Sequence, residues 1–480
     1  MTQVDDLEMD HWALIIIHNP MCINTLHLPG FSHRLCGSRT RPAVDLAATP
    51  LDGLAGVVAR FIPAAVFTGV GERQRVFTPW VTFCAFLGQS LQRGASCREA
   101  VRRVQAWCLT EGRSAPDDNT AAYYQARARL PLDCLRKAHA RLVGWLDSAA
   151  PAERWQGRVV KLIDGCGYSM PDTRANRAVY PYAGCRQPGC GFPTAKLVGL
   201  FSLATGHLVR CAHASWKTHE VPLARQLVGW MNPGDVVVAD RGFCGWGLIA
   251  LLQRKGVDVV MRLHQARAEG LGKTEWRRPQ KPETWDRALW HELPRQLAVR
   301  IVRFQVVTAG FRTKTVTLVT TLLDEVAYPD SALAELYGKR WQIEGNFRDL
   351  KTTLGLDVLR THSPALIERE VLVQGIAYNL VRALMLEASR IHSVPLARLS
   401  FKGAQTTLRQ WSGLLTASQR SPSRLSRCYG DLLLALAADL LPIRPNRSEP
   451  RCVKRRPKTY QLMTKPRRFM RVSPSRNLKK

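Results

Sequence analysis

The sequence predicts an α/β core with helical regions on both sides. Three observations carry that expectation. Between about 155 and 263, three apolar strand-like runs come first, and helical and strand-like runs then alternate. Between about 264 and 312 this pattern is interrupted by scattered Gly, Pro and Trp and by an alternating strand at 297–306. The stretches before and after read as helices, several with recognisable caps.

Residues 1–64 carry weak patterning with scattered Pro, Gly and Cys, and are expected to be a disordered leader or an over-long gene start. Residues 65–150 form the first helical region. Ser96-Cys-Arg-Glu99 has capping-box form ahead of a helix from Ala100. Asp117, Asp118 and Asn119 offer caps for a helix at 120–129 before Pro131, and a third helix covers 135–146. Arg98, Arg102, Arg103, Arg113, Arg127 and Arg129 give this region a basic surface, either a solvated bundle or a surface that meets a polyanion.

In the core, strands are expected at 159–163, 197–203, 208–211, 236–239 and 257–261, with helices near 219–230 and 246–254. A strand at 315–321 leads into a helical segment. Residues 356–443 are again helical, with apolar faces suited to packing on the core or on a second subunit. From Arg444 to Lys480, cations crowd a segment rich in Pro and Ser that only Glu449 opposes, so this tail is expected to be disordered until it meets a polyanion.

The net charge of +31 and pI near 10.3 imply a polyanionic partner. A ribosome-bound or chromatin-like protein shares that balance. No apolar run reaches the ~20 residues of a membrane span. The short run at 12–17 follows acidic residues, the reverse of a secretory signal, so a cytoplasmic protein is expected. The thirteen cysteines are odd in number and expected to be reduced. Cys166, Cys185 and Cys190 lack the paired CxxC or histidine that would complete a zinc site.

The segment that carries chemistry runs from Tyr337 to Lys351. Tyr337, Arg340, Glu344, Arg348 and Lys351 step by three or four residues, which places them on one face of a helix. A carboxylate among cations is either a solvated salt-bridged face or a place where a metal and a phosphodiester meet. Two upstream aspartates favour the second reading. Asp164 follows the strand 159–163 and precedes glycines, and Asp240 ends the strand 236–239 before Arg241-Gly242. Either alone reads as a cap or turn former. With Glu344 they make an acidic trio on strand, strand and helix.

At these residues the chain resembles the DD-E transposases of bacterial insertion sequences, of the IS-four type, whose signature is this Y-R-E-K segment. Asp164-Gly165 with Pro171-Asp172-Thr173 and Asn176 resembles the family's first catalytic block. Gly234-Asp235 through Asp240-Arg241-Gly242-Phe243 resembles the second, and Val257 to Arg262 the strand and arginine that follow. Gly375 to Arg382 and Ser400-Phe401 resemble the C-terminal helical segment. The likeness spans about 65–412, with the blocks in the family's order.

The resemblance implies an RNase H-like α/β catalytic core at 155–355, with a mostly β insertion at about 264–312, flanked by helical regions. Asp164 would lie on the central strand and Asp240 on its neighbour. The spacings fit: 240 − 164 = 76 and 344 − 240 = 104. It further implies a helical DNA-binding domain at 65–150 and a tryptophan in the insertion that stacks on a flipped base. Trp276, Trp285 and Trp290 are equal candidates. Asp164, Asp240 and Glu344 would bind two Mg²⁺ ions about 3.5–4 Å apart, with Mn²⁺ as a substitute. Tyr337, Arg340, Lys351, Arg241 and Arg262 would contact DNA. The expected activity is recognition of the element's terminal inverted repeats, cleavage through a hairpin and joining to target DNA, by a homodimer on paired ends. Rival readings are a related nuclease without strand transfer, a domesticated non-catalytic DNA-binding protein, and a basic RNA-associated protein, which leaves the acidic trio unexplained.

Overall fold

The sheet explains where the site can form. The computed structural model describes residues 53–68, 75–151, 154–182, 191–264, 271, 274–306, 314–419, 421–443 and 469. Residues 1–52, the candidate zinc residues Cys185 and Cys190, and the tail 444–480 apart from Phe469 lie outside them.

Five helices come first: α1 (Gly53–Phe61), α2 (Pro79–Ser90), α3 (Cys97–Thr110), α4 (Ala121–Arg129) and α5 (Leu132–Ser148). The Ser96 hydroxyl accepts from the Glu99 N–H and starts α3, as the capping pattern predicts. Asn119 Oδ1 accepts from the Ala121 N–H at 2.9 Å and starts α4. The helix α1 falls in the stretch that carries weak patterning. Arg127 departs from the expected basic surface. It is buried, stacks over Phe86 and Tyr123, and donates to Gln89, so it serves the bundle rather than its outer face.

The core follows as β1 (Val160–Ser169), α6 (Arg174–Val179), β2 (Thr194–Ser202), β3 (Leu208–Ser215), α7 (Glu220–Leu227), β4 (Val236–Ala239), α8 (Trp246–Arg254) and β5 (Asp258–Arg262). The strand order begins β3-β2-β1-β4-β5. β1, β2 and β3 form an antiparallel meander, while β4 and β5 run parallel to β1 through the crossovers α7 and α8. A three-stranded meander followed by two parallel strands is the RNase H-like arrangement.

Alternate residues of the strands face two different cores. Leu162, Val236, Val238 and Val260 join the helical regions on one face. Ile163, Val237, Ala239, Val259 and Met261 join α7 and α8 on the other.

The inserted segment contains β6 (Glu275–Arg277), α9 (Arg287–Glu292), β7 (Gln296–Ala298), β8 (Arg300–Val306) and β9 (Lys314–Thr320). The alternating run at 297–306 is not one strand. It breaks at Val299 into β7, which pairs with β6, and β8, which pairs with β9. β9 then pairs with β5 and extends the catalytic sheet. Trp276, Trp285 and Trp290 are all buried, packed with Trp246 on α8. A Cβ on Gly247 would stand 2.6 Å from Trp285, so a glycine at this point of α8 lets the insertion seat closely.

The chain ends with α10 (Asp330–Lys339), α11 (Gln342–Arg348), a π-helical turn (Asp349–Thr353), α12 (Pro364–Ile391), α13 (Phe401–Ser418) and α14 (Pro422–Ala438). α12 is long and apolar enough by composition to cross a membrane, but 83% of its apolar window is buried inside the protein. It packs against α2, α4, α5, α13 and α14, so the two helical regions share one core. Its apolar surface is therefore largely consumed within the chain.

Candidate active site

Asp164 and Asp240 occupy neighbouring positions because β1 and β4 are parallel and in register. The last paired residues are Ile163 and Ala239, and each aspartate comes next. Contrary to expectation, β1 does not end before Asp164. It continues to Ser169 because β2 goes on pairing with it, Asp164 opposite Gly199, after β4 has stopped. Asp164 thus projects from a held strand where the neighbouring strand has left a gap. By alternation, both aspartates share the side of Leu162, Val236 and Val238, the side that α11 covers.

The Y-R-E-K segment is not one continuous helix. α10 ends at Lys339, α11 starts at Gln342, and a π turn carries Lys351. Its five residues therefore divide: Tyr337 and Arg340 are buried, Lys351 is half-buried, and Glu344 and Arg348 are exposed. The break turns the Arg340 guanidinium towards the sheet. Nη1 lies 3.6 Å from Asp164 Oδ2, and Nη2 lies 3.5 Å from Glu344 Oε1. Arg340 also lies 5.9 Å from the Tyr337 ring centroid and 5.3 Å from that of Trp341. Tyr337 is close enough to Asp240 and Arg262 to feel both charges, and burial pushes its phenol up. Lys351 acts on Cys166, two residues beyond Asp164 on the same side of β1. Arg241, beside Asp240, is exposed.

Each aspartate is oriented by backbone. Asp164 Oδ1 accepts from Gly165 N–H at 2.7 Å, and Asp240 Oδ1 accepts from Gly242 N–H at 2.7 Å. The Asp164 carboxyl is raised to about 6, chiefly by burial and also by the charge of Asp240, against the opposing pull of Gly165 N–H and Arg340. Among the described residues, no three His, Cys, Asp or Glu side chains stand in metal-holding geometry. Arg340 occupies the space between Asp164 and Glu344 instead. The donor set nevertheless fits a hard divalent cation: carboxylate oxygens only, crowded enough to repel, and partly offset by a buried arginine whose Nε has no partner.

Elements distant in sequence hold this geometry. Arg382 of α12 donates to Asn346 Oδ1 on α11 at 2.7 Å and to the Tyr378 hydroxyl at 3.1 Å. The Tyr378 hydroxyl donates to Gly206 O, and Asn379 pairs with both backbone groups of Leu208 at the start of β3. The block at 375–382 therefore fastens α11 to the meander. Asn176 is fully buried and donates to Pro171 O and Thr361 O, and Thr173 caps α6, so this part of the first block is architectural.

Residues 155–380 match the family described as the transposase DDE domain. The chain is also 27% identical over 402 residues to the transposase of insertion sequence element IS4 from Escherichia coli, spanning 81% of this chain and 88% of that protein. By these matches the chain resembles the DDE transposases of the IS4 family. The cryo-EM structure of the piggyBac transposase synaptic complex with hairpin DNA is similar at 12% identity and a TM-score of 0.39, over 86% of this chain and 90% of that one.

Two features of the site are not legible in the sequence. Trp341 is a large exposed aromatic at the mouth of the site, 59% accessible, and only the break between α10 and α11 makes it so. Glu220, the first residue of α7, acts on Asp164 from the opposite side of the sheet. A run of Glu220-Val-Pro-Leu after a strand carries no signal for either position.

Proposed function

We propose that this protein is a transposase that binds the terminal inverted repeats of its insertion sequence, cuts the DNA ends and joins them to target DNA, using Asp164, Asp240 and Glu344 as metal ligands. The carrying observation is the pair Asp164 and Asp240, side by side where two parallel strands diverge, beneath the segment that bears Glu344. Bound Mg²⁺ or Mn²⁺ would supply activation of the attacking water or 3′-hydroxyl and stabilisation of the leaving oxygen.

The chain's own residues do the rest. Asp164 and Asp240 hold their carboxylates through adjacent backbone N–H groups, which fixes where a cation can sit. Arg340, paired with two carboxylates, carries a guanidinium that would be free for a DNA phosphate if a cation took its place between them. Lys351, Arg262 and Arg241 supply further phosphate contacts, Tyr337 orders Arg340, and Trp341 offers a flat apolar face to an unpaired base. The arginine-bearing helices α3 and α4 give the surface that meets the repeats, through Arg98, Arg102 and Arg129 rather than Arg127. Hairpin intermediates, a homodimer on paired ends and a bacterial nucleoid setting follow from the family resemblance and belong to this proposal.

Incubating the protein with labelled element ends and Mg²⁺ tests it. Cleavage and joining are expected, with Asp240→Asn and Glu344→Gln slowing cleavage by roughly 10³-fold or more while end binding persists. Cleavage without joining favours the nuclease reading, and binding without cleavage the domesticated one.

A further inference from the structure

We propose that Arg93 and Arg360 form a clasp that holds Lys351 in register with the start of α3, which makes Arg93 a positioning residue for the phosphate contact of Lys351. This rests on the reading that Lys351 meets DNA beside Asp164, Asp240 and Glu344, and it joins that site to the arginine-bearing helices.

The clasp lies where two turns distant in sequence cross. One is the loop 91–96 between α2 and α3. The other follows the π turn that carries Lys351. Arg93 Nη1 donates to Thr352 O at 2.9 Å, and its Nη2 donates to Asp357 Oδ2 at 3.1 Å. Arg360 returns the contact, its Nη1 donating to Gly94 O at 2.7 Å. Each turn also needs a glycine. Gly94 and Gly355 have φ of +90° and +93°, a region that other residues rarely adopt. A Cβ on Gly355 would stand 3.2 Å from Arg93 Cγ, so the arginine stem packs on the reversal just past the π turn.

Both sides of the clasp are anchored elsewhere. Asp357 O accepts from Ser169 N–H at 3.0 Å, which ties its segment to the end of β1, the strand of Asp164. Ala95 O accepts from Gln89 Nε2 at 3.1 Å, and Ser96 caps α3. Arg98 and Arg102, exposed on the first two turns of α3, therefore stand on a hydrogen-bonded connection to the turn of Lys351. The last carbonyls of a helical turn have no partner within it, and Arg93 satisfies the one at Thr352, the residue after Lys351. Among the described residues, no carboxylate stands within ion-pair distance of Lys351, so its backbone sets where its ammonium can go. Stability alone does not account for the clasp. Arg93 is half exposed, an exposed Arg–Asp pair adds little, and α2 and α12 already join these regions by packing. What the clasp adds is register between the helix that meets the repeats and the lysine that meets the cut phosphate.

The test measures single-turnover cleavage of labelled element ends with Mg²⁺, and end binding without divalent metal, on the full-length protein. Arg93→Ala is expected to slow cleavage about tenfold, as a small misplacement of a phosphate-binding group does, with end binding and melting temperature close to wild type. Lys351→Ala should be slower still, and the double variant no slower than Lys351→Ala alone. Arg93→Lys, which keeps one donor, should recover part of the rate. Wild-type cleavage by Arg93→Ala beside a slow Lys351→Ala overturns the clasp and leaves the site reading standing. Wild-type cleavage by Lys351→Ala removes Lys351 from the site, and this inference falls with it. Losses that multiply in the double variant, or a loss of end binding equal to the loss of rate, would show that Arg93 does not act through Lys351. Hydrogen exchange of the DNA-free protein gives a readout independent of cleavage: Arg93→Ala should speed exchange across 349–356 without a global change. Unchanged exchange there overturns the clasp, whatever the cleavage rates.

Discussion

Replacing Asp164 by Asn should stabilise the metal-free protein, and the gain should depend on pH in a way the structure fixes. Asp164 is less than a quarter exposed, and burial together with the Asp240 charge holds its carboxyl at about 6 against an ordinary 3.8. The folded state therefore binds this proton more tightly than the unfolded chain. Stability falls as pH rises through that interval, and the full loss is present above about pH 6. The interval corresponds to ~3 kcal/mol at 1.36 kcal/mol per pH unit. Asparagine does not ionise, so the variant escapes the loss, while Arg340 loses one of its two carboxylate contacts. A net gain of about 1–3 kcal/mol is expected at pH 7.5 and a much smaller one at pH 4.5. Urea denaturation with EDTA at both pH values measures it. A difference between variant and wild type that is the same at both would refute the reasoning. Saturating Mn²⁺ should then raise the stability of the wild type, by ~2.7 kcal/mol at one hundred times Kd, and leave Asp164→Asn unaffected.

Arg340→Gln should tighten Mn²⁺ binding in the absence of DNA, because the competing cation between Asp164 and Glu344 is removed, and it should still lose DNA cleavage that added Mg²⁺ does not restore. Restored cleavage would assign Arg340 to the metal rather than to phosphate. Trp290→Ala should cost about 3–5 kcal/mol in denaturant titrations, since this side chain is buried between Trp246 and Trp285; a cost under 1 kcal/mol would mean that the insertion is not anchored on α8. Deleting residues 444–480 should flatten the salt dependence of binding to random DNA while preserving preference for element ends, as loss of a cationic segment implies. An unchanged slope in gel-shift titrations would give the tail another role.

Strand-forming runs and their order were legible in the sequence because β-branched blocks such as Val236–Ala239 and the helix Trp246–Arg254 have little alternative use. Asp240 was legible as a strand-terminal acid, and its adjacency to Asp164 needed only parallel pairing, but the continuation of β1 past Asp164 to Ser169 was not legible because it depends on pairing with β2. The break between α10 and α11 was not. Tyr337 to Lys351 has helical spacing throughout, and what interrupts it is tertiary: α11 sits against β1, and Arg382 fastens Asn346 from α12. For the same reason Arg340, which helical spacing places on one face with Glu344, is buried while Glu344 is exposed. Arg127 misled similarly, since a guanidinium stacked on aromatic rings has the same letter as a solvated one. The need for glycine at 165 was hidden because a Cβ there would stand 2.6 Å from Glu220 Oε1, and Glu220 is 55 residues away (220 − 165 = 55).

The shared core of the two helical regions has a consequence for the timing of synthesis. α2, α4 and α5 leave the ribosome early but find their packing partner, α12, only after residue 364 has been made. Asp164 precedes Glu344 by 344 − 164 = 180 residues. At about 5–20 residues per second, roughly 10–40 s separate the two. During that interval the nascent chain holds two of its three acidic residues and an incomplete helical core. A product terminated before residue 344 lacks both Glu344 and α12, and so lacks one carboxylate of the proposed site together with the helix that closes the shared core.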